Sequence, residues 1–152
     1  MTPVVSKVFA YVTNQNRLLV FRHTDFPEAG IQVPAGTVKP NEELATAVLR
    51  EAEEETGLQG LTIRTYLGEQ LRNMGDVGKD EIHHRHFYHL PCEGDPPGEW
   101  QHDEDDPSEG GSVPIHFEFF WAGIPDQIPE LICDHGIMLS RLEELLNDGK
   151  DT

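Results

Sequence analysis

The sequence has little positive charge, almost no cysteine and no long apolar run. Its 152 residues carry 11 Lys+Arg against 28 Asp+Glu, a formal net charge of −17. That surface repels polyanions, which excludes a general nucleic-acid binder and a protein that docks on anionic membranes. Two cysteines, Cys92 and Cys133, are too few for a disulfide scaffold, and no CxxC pair offers zinc a site. They read as reduced thiols, with one bridge left open. No stretch approaches the roughly 18 apolar residues of a membrane span, and no basic, then apolar, leader is visible at the start. The four serines lie in no GxSxG setting and no P-loop occurs, so serine-based hydrolysis has no support. The expectation is a soluble, cytoplasmic protein with one domain over 1–152, long enough to bury a real core.

Residues 4–12 and 17–23 are β-branched and aromatic and predict two adjacent strands around a polar turn. Pro34 biases residues 31–34 toward extended backbone. Residues 41–56 predict a helix, with Asn41 as N-cap and Gly57 as the stop. Further strands are expected over 61–71, 82–90 and 115–123, and a second helix over 129–147. Residues 91–114, with eight acids between Glu93 and Glu109, read as one long loop. This order predicts a mixed α/β domain.

The first helix carries the chemistry. At about 100° per residue, Glu51, Glu54 and Glu55 share an arc of roughly 100°. Glu51 and Glu55 fall inside the arc of Leu44, Ala45, Ala47, Val48, Leu49 and Ala52, where a solvated charged face would not place them. Clustered like charges near a buried face, toward a helix C-terminus, destabilise the helix. A divalent cation removes that objection, because hard cations prefer clustered oxygen ligands.

From Gly36 the chain runs five residues to Glu42, seven more, then Arg50-Glu51-Ala52-Glu53-Glu54-Glu55-Thr56-Gly57-Leu58. This resembles the Nudix box, GX5EX7REUXEEXGU with U aliphatic. All seven fixed identities match, with chance odds of about 10⁻⁵; Ala52 is a small occupant of the first U position. The resemblance implies an α/β/α sandwich around a mixed sheet, with the box as loop-helix-loop. It also implies metal-dependent hydrolysis of a nucleoside diphosphate linked to another moiety. By position, Glu51, Glu54 and Glu55 would be the Mg²⁺ or Mn²⁺ ligands, joined by the Gly36 carbonyl. Arg50 would orient a box glutamate and Glu42 would buttress the helix. A non-catalytic nucleotide sensor of the same fold is the alternative; such proteins usually damage the box, and here its acids are intact. A metal-binding isomerase would need further catalytic residues that the chain does not offer.

Outside the box, Glu118 stands three residues before Trp121 in an apolar strand. It is similar to the catalytic glutamate of the diadenosine-polyphosphate branch, and is expected to be a fourth ligand or the base. Residues 83–89 hold four of the eight histidines. Alternation puts His84 and His86 on one face and His83, Arg85 and His89 on the other. Zinc on His84 and His86 would lack a third ligand. Substrate contacts are expected from Arg85, His84 and His86, and from Arg22 at the end of the second strand; Phe26 reads as core. The Pro that marks many ADP-ribose pyrophosphatases about fifteen residues after the box is Asn73 here. The partner expected is a small-molecule nucleotide or nucleoside-diphosphate derivative, with neither nucleic acid nor membrane. The oligomeric state stays open, a homodimer included.

Overall fold

The computed structural model describes residues 2–104 and 115–149. The two apolar runs form β1 (Val4–Asn14) and β2 (Arg17–His23). Between them Gln15 and Asn16 take φ of 52° and 59°, the geometry of a tight hairpin turn. The other described strands are β3 (Ala35–Thr37), β4 (Thr65–Asn73), β5 (Ile82–Pro91), β6 (Glu99–Glu104) and β7 (Ile115–Gly123). They make one mixed sheet in the order β4-β5-β1-β2-β7-β6, with β3 paired to β1. The β1–β5 pair is parallel and the other strand pairs are antiparallel. β1 meets β2 at Thr13 and Asn14, whereas its earlier residues Lys7, Val8 and Phe9 pair with β3. β3 therefore borders the start of β1.

Helix α1 (Leu44–Thr56) covers one face, burying Ala47, Val48 and Ala52 against Val8, Ala10, Val12 and Phe119. Helix α2 (Leu139–Asn147) covers the other, burying Leu142 and Leu145 with Phe9, Tyr11, Val20 and Phe87. Each larger side chain so buried contributes about 1.5–3 kcal/mol. This is the expected α/β/α sandwich. Cys92 and Cys133 are free thiols. No helix among the described residues is long and apolar enough to cross a membrane.

Several boundaries differ from the sequence pattern, and the strand expected over 61–71 runs instead over Thr65–Asn73. Asn41 is not the cap of α1: it has φ 64°, and Glu43 holds the N-cap position. The segment before the helix closes on itself, with Glu42 N–H donating to the Lys39 carbonyl and Lys39 N–H to Glu42 Oε1. The helix expected over 129–147 is confined to Leu139–Asn147. Cys133 and Asp134 have φ of 49° and 62°, which no right-handed helix passes through. Arg85 holds the Cys133 carbonyl, and Gln70 and Arg72 hold the Asp134 carboxylate. The acidic stretch 91–114 contains β6, paired to β7; its residues 105–114 lie outside the described residues.

Candidate active site

The helix α1 builds one wall. Gly57 ends it in the left-handed region (φ 79°), donating to the Glu53 carbonyl. Glu51 and Glu55, one turn apart, are 7% and 6% exposed, as the helical wheel predicts. Glu51 lies against Gly36: a Cβ at position 36 would fall 2.0 Å from Glu51 Cδ, so a glycine is required there. Glu55 Oε1 accepts the Ala35 N–H at 3.3 Å. Two buried carboxylates thus converge on the Ala35–Gly36 backbone.

Arg50 ties this wall together. Its Nε and Nη2 grip Glu42 at 2.7 and 2.8 Å, and Nη1 donates to Glu51 at 2.7 Å and Glu54 at 3.3 Å. These contacts and the Lys39 N–H pull the Glu42 pKa down to about 2. Burial pushes Glu51 the other way, above the usual carboxylate range, against the pull of Arg50. Hard oxygen donors of this kind suit Mg²⁺ or Mn²⁺. Glu51 and Glu54 already share one cationic nitrogen, and Glu51 and Glu55 lie against the adjacent backbone of Gly36 and Ala35, so the residues fit such an ion. Among the described residues, no three His, Cys, Asp or Glu side chains are gathered for a metal as they stand.

On the opposite face of β1, a cleft of about 270 Å³ borders Gly36. Lys7, Lys79 and Arg85, three of the 11 cations, line it together with His83, His135 and Phe9. No carboxylate belongs to its described lining. Lys7 donates to Thr37 Oγ1 at 2.7 Å and weakly opposes the burial that raises the Glu51 pKa. Arg85 is 2% exposed, lies 4.8 Å over the Phe9 ring and donates to the Cys133 carbonyl at 2.5 Å. Its Nε is buried without a partner among the described residues. A larger cavity of about 460 Å³ adjoins Thr13, Arg64 and Cys92. It starts five residues along β1 from Val8, the partner of Gly36, or about 16 Å away.

Glu118 pairs in register with Arg22 and Gln101. Strand alternation gives it the α2 side of the sheet, which the cleft shares, because its neighbours Phe117 and Phe119 belong to the α1-side core. It has no ion-pair or hydrogen-bond partner among the described residues. Arg22 is exposed, its guanidinium 4.7 Å from the Phe120 ring. His84 and His86 lie on the α1 side at the β4 edge, bonded to Glu69 at 2.8 Å and Tyr66 at 3.0 Å. The structure therefore separates them from Arg85. Phe26, read as core, is 54% exposed and sits edge-on to His23.

Sequence reasoning missed Lys7, Lys79, His83 and His135. Lys7 had a signal: a lone charge inside an apolar strand. Lys79 and His135 had none, since nothing local places them beside Gly36.

A NUDIX domain model matches residues 4–121. The chain belongs to the Nudix family, and is by that membership a hydrolase of pyrophosphate linkages. No curated protein matches it by sequence. Its fold is similar to that of the MutT protein from Methanosarcina mazei Go1, at 17% identity over 98% of this chain and 97% of that one, TM-score 0.61. The E. coli ORF135 protein gives 21% identity over 97% and 94%, TM-score 0.66. A bifunctional NMN adenylyltransferase/ADP ribose pyrophosphatase from Francisella tularensis, complexed with AMP and Mn ion, gives 19% over 97% and 42%, TM-score 0.56.

Proposed function

We propose that the protein hydrolyses the pyrophosphate linkage of a nucleotide or other nucleoside-diphosphate derivative, with Mg²⁺ or Mn²⁺. The observation that carries this is the meeting at β3 of two buried carboxylates with a cationic cleft that has no carboxylate in its described lining. Glu51, Glu54, Glu55 and the Gly36 carbonyl would hold the cation, which supplies charge neutralisation at the pyrophosphate oxygens and eases deprotonation of water. Mn²⁺ in the complex of the Francisella structural neighbour supports that choice of ion.

Arg85 and Lys7 bind the phosphate oxygens not facing the carboxylates. Arg85 Nε, buried and without a partner among the described residues, gains an acceptor when substrate enters, which offsets its desolvation. Arg22 extends the positive wall on the same face of the sheet. Phe9 gives the cleft an apolar side for the group carried by the phosphates. Arg50 keeps Glu51 oriented through its anchor on Glu42. Glu118, with no ion-pair partner among the described residues, accepts the proton of the attacking water at its carboxylate. The protein's part is position and electrostatics. The substrate is a small molecule met in the cytoplasm, and a net charge of −17 disfavours nucleic acid.

The test is a screen of nucleoside-diphosphate derivatives with Mg²⁺ or Mn²⁺, read by phosphate release and mass spectrometry, wild type against Glu54→Gln. Turnover by the wild type alone supports the reading, and its products name the bond broken. Metal-dependent nucleotide binding without turnover on the whole panel would replace it with a sensor.

A further inference from the structure

The C-terminal end of α1 has carbonyls that no further helical turn can satisfy. Glu53 O accepts the Gly57 N–H. Two others are met by side chains of β6, an edge strand of the sheet. His102 Nε2 lies 2.9 Å from Glu54 O, and Trp100 Nε1 donates to Thr56 O at 2.8 Å. A carbonyl only accepts, so the His102 proton is on Nε2. The imidazole lies against Gly57, where a Cβ would fall 2.9 Å from its Nδ1. The box glycine therefore both turns the chain left-handed and leaves room for the ring. Trp100 stacks on Phe119 with centroids 5.3 Å apart at 14°, so the donor beside His102 is set in the core.

The other end of the metal-binding set is fixed differently. Glu51 is anchored from within the box, by Arg50 and by its fit on Gly36. Glu54 is 53% exposed at its side chain and meets Arg50 at 3.3 Å, a weaker hold. Its backbone is what β6 grips. We propose that His102 is a positioning residue for hydrolysis: by bonding the Glu54 carbonyl, with Trp100 on Thr56, it fixes where the last turn of α1 presents Glu54 and Glu55 relative to Glu51. This rests on the metal-dependent reading above. Groups that orient ligands in this way are worth about 10–100-fold in metal affinity or activity.

The experiment titrates the full chain with Mn²⁺ alone, by electron paramagnetic resonance, and follows amide hydrogen exchange at residues 54–58. It compares wild type, His102→Leu, His102→Gln and Glu54→Gln. His102→Leu should weaken Mn²⁺ binding about tenfold and speed exchange in that turn, with the unfolding midpoint without metal within a few degrees of wild type. His102→Gln, which keeps an N–H donor, should recover most of the affinity. Wild-type Mn²⁺ affinity in His102→Leu, beside a loss in Glu54→Gln, would overturn the positioning role and leave the metal reading standing. Wild-type affinity in Glu54→Gln would overturn the metal reading itself. Equal losses in the Leu and Gln variants would also reject the positioning role, since the donor would then not matter. If His102→Leu does not fold, Trp100→Phe makes the same comparison, because it keeps the stack and removes the donor to Thr56.

Discussion

On the α1 side of β3, Glu51 and Glu55 are buried against Ala35 and Gly36, with Arg50 as their clasp; on the other side, Lys7, Lys79 and Arg85 share a cleft lined by no described carboxylate. In a chain where acids outnumber bases 28 to 11, the second arrangement is the less expected. The acids are drawn into one helix by sequence-local rules, since i, i+3 and i+4 share a face. The cations come from β1, β5 and the turn before β5, and only the sheet unites them. The first region is built to hold a cation, the second to hold an anion, and Gly36 belongs to both. A metal-assisted attack on a phosphate needs that adjacency.

If the acidic region supplies the chemical step, its loss should be the largest effect. Glu51→Gln should lower kcat by about 10³-fold with KM little changed and the fold intact, because a buried carboxylate with a raised pKa is itself a strain on folding. Steady-state kinetics with thermal unfolding checks this; a variant that loses only substrate affinity would break the division between the two regions. Glu118→Gln comes next, with kcat down about 10²-fold. Full wild-type kcat in a folded Glu118→Gln would return the proton-accepting role to the box.

The cationic region should show the opposite signature. Arg85→Met should raise KM by about 50-fold, in line with a charge-assisted hydrogen bond of roughly 1.5–3 kcal/mol, while kcat changes less. Arg85→Lys should not restore binding, because the guanidinium also stacks on Phe9 and donates to the Cys133 carbonyl. A kcat defect at constant KM would show that the cleft acts on the transition state alone and would redraw the comparison.

The contrast also explains what could be read from the sequence. The seven box identities and the helical arc placed Glu51 and Glu55 on the buried face, and alternation separated His84 and His86 from Arg85; both are local rules of period 3.6 and 2. The strand β6 was hidden because its acids imitate a loop, and its partner is β7 rather than a neighbour in sequence. The sequence pattern overextends the second helix because Cys133 and Asp134 carry no sign of the left-handed backbone that Arg85, Arg72 and Gln70 hold from two other strands. Lys79 lines the cleft beside β1 residues that lie far from it in the chain. What the pattern could not carry were contacts between elements far apart in the chain.

The smallest effect concerns the floor of the cationic cleft and separates stability from catalysis. His135 is 7% exposed, packs edge-on to Phe9 and accepts the Val33 N–H at Nδ1, 3.2 Å away. Burial, then Arg85 and Arg72, push its pKa from 6.5 down to about 3, with Asp134 opposing weakly. Protonating Nδ1 would break the bond to Val33 and set a third cation beside two arginines. The unfolded chain takes up this proton near pH 6.5, before the folded one does, so the contribution is complete at neutral pH and is lost as pH falls below about 6.5. From pH 7 to pH 5 the loss should be about 2 kcal/mol, or roughly 4–8 °C in Tm for a chain of this size. Glu51 contributes with the other sign: its raised pKa makes the fold less stable as pH rises above the usual carboxylate range. The comparison that isolates His135 is therefore wild type against His135→Asn, whose side-chain oxygen can still accept from Val33 but does not titrate. The Tm difference between the two should narrow or change sign toward pH 5. A constant offset across pH 5–7 would mean that His135 takes up its proton as readily in the fold as in the unfolded chain, and that the cleft tolerates one more positive charge than its geometry implies.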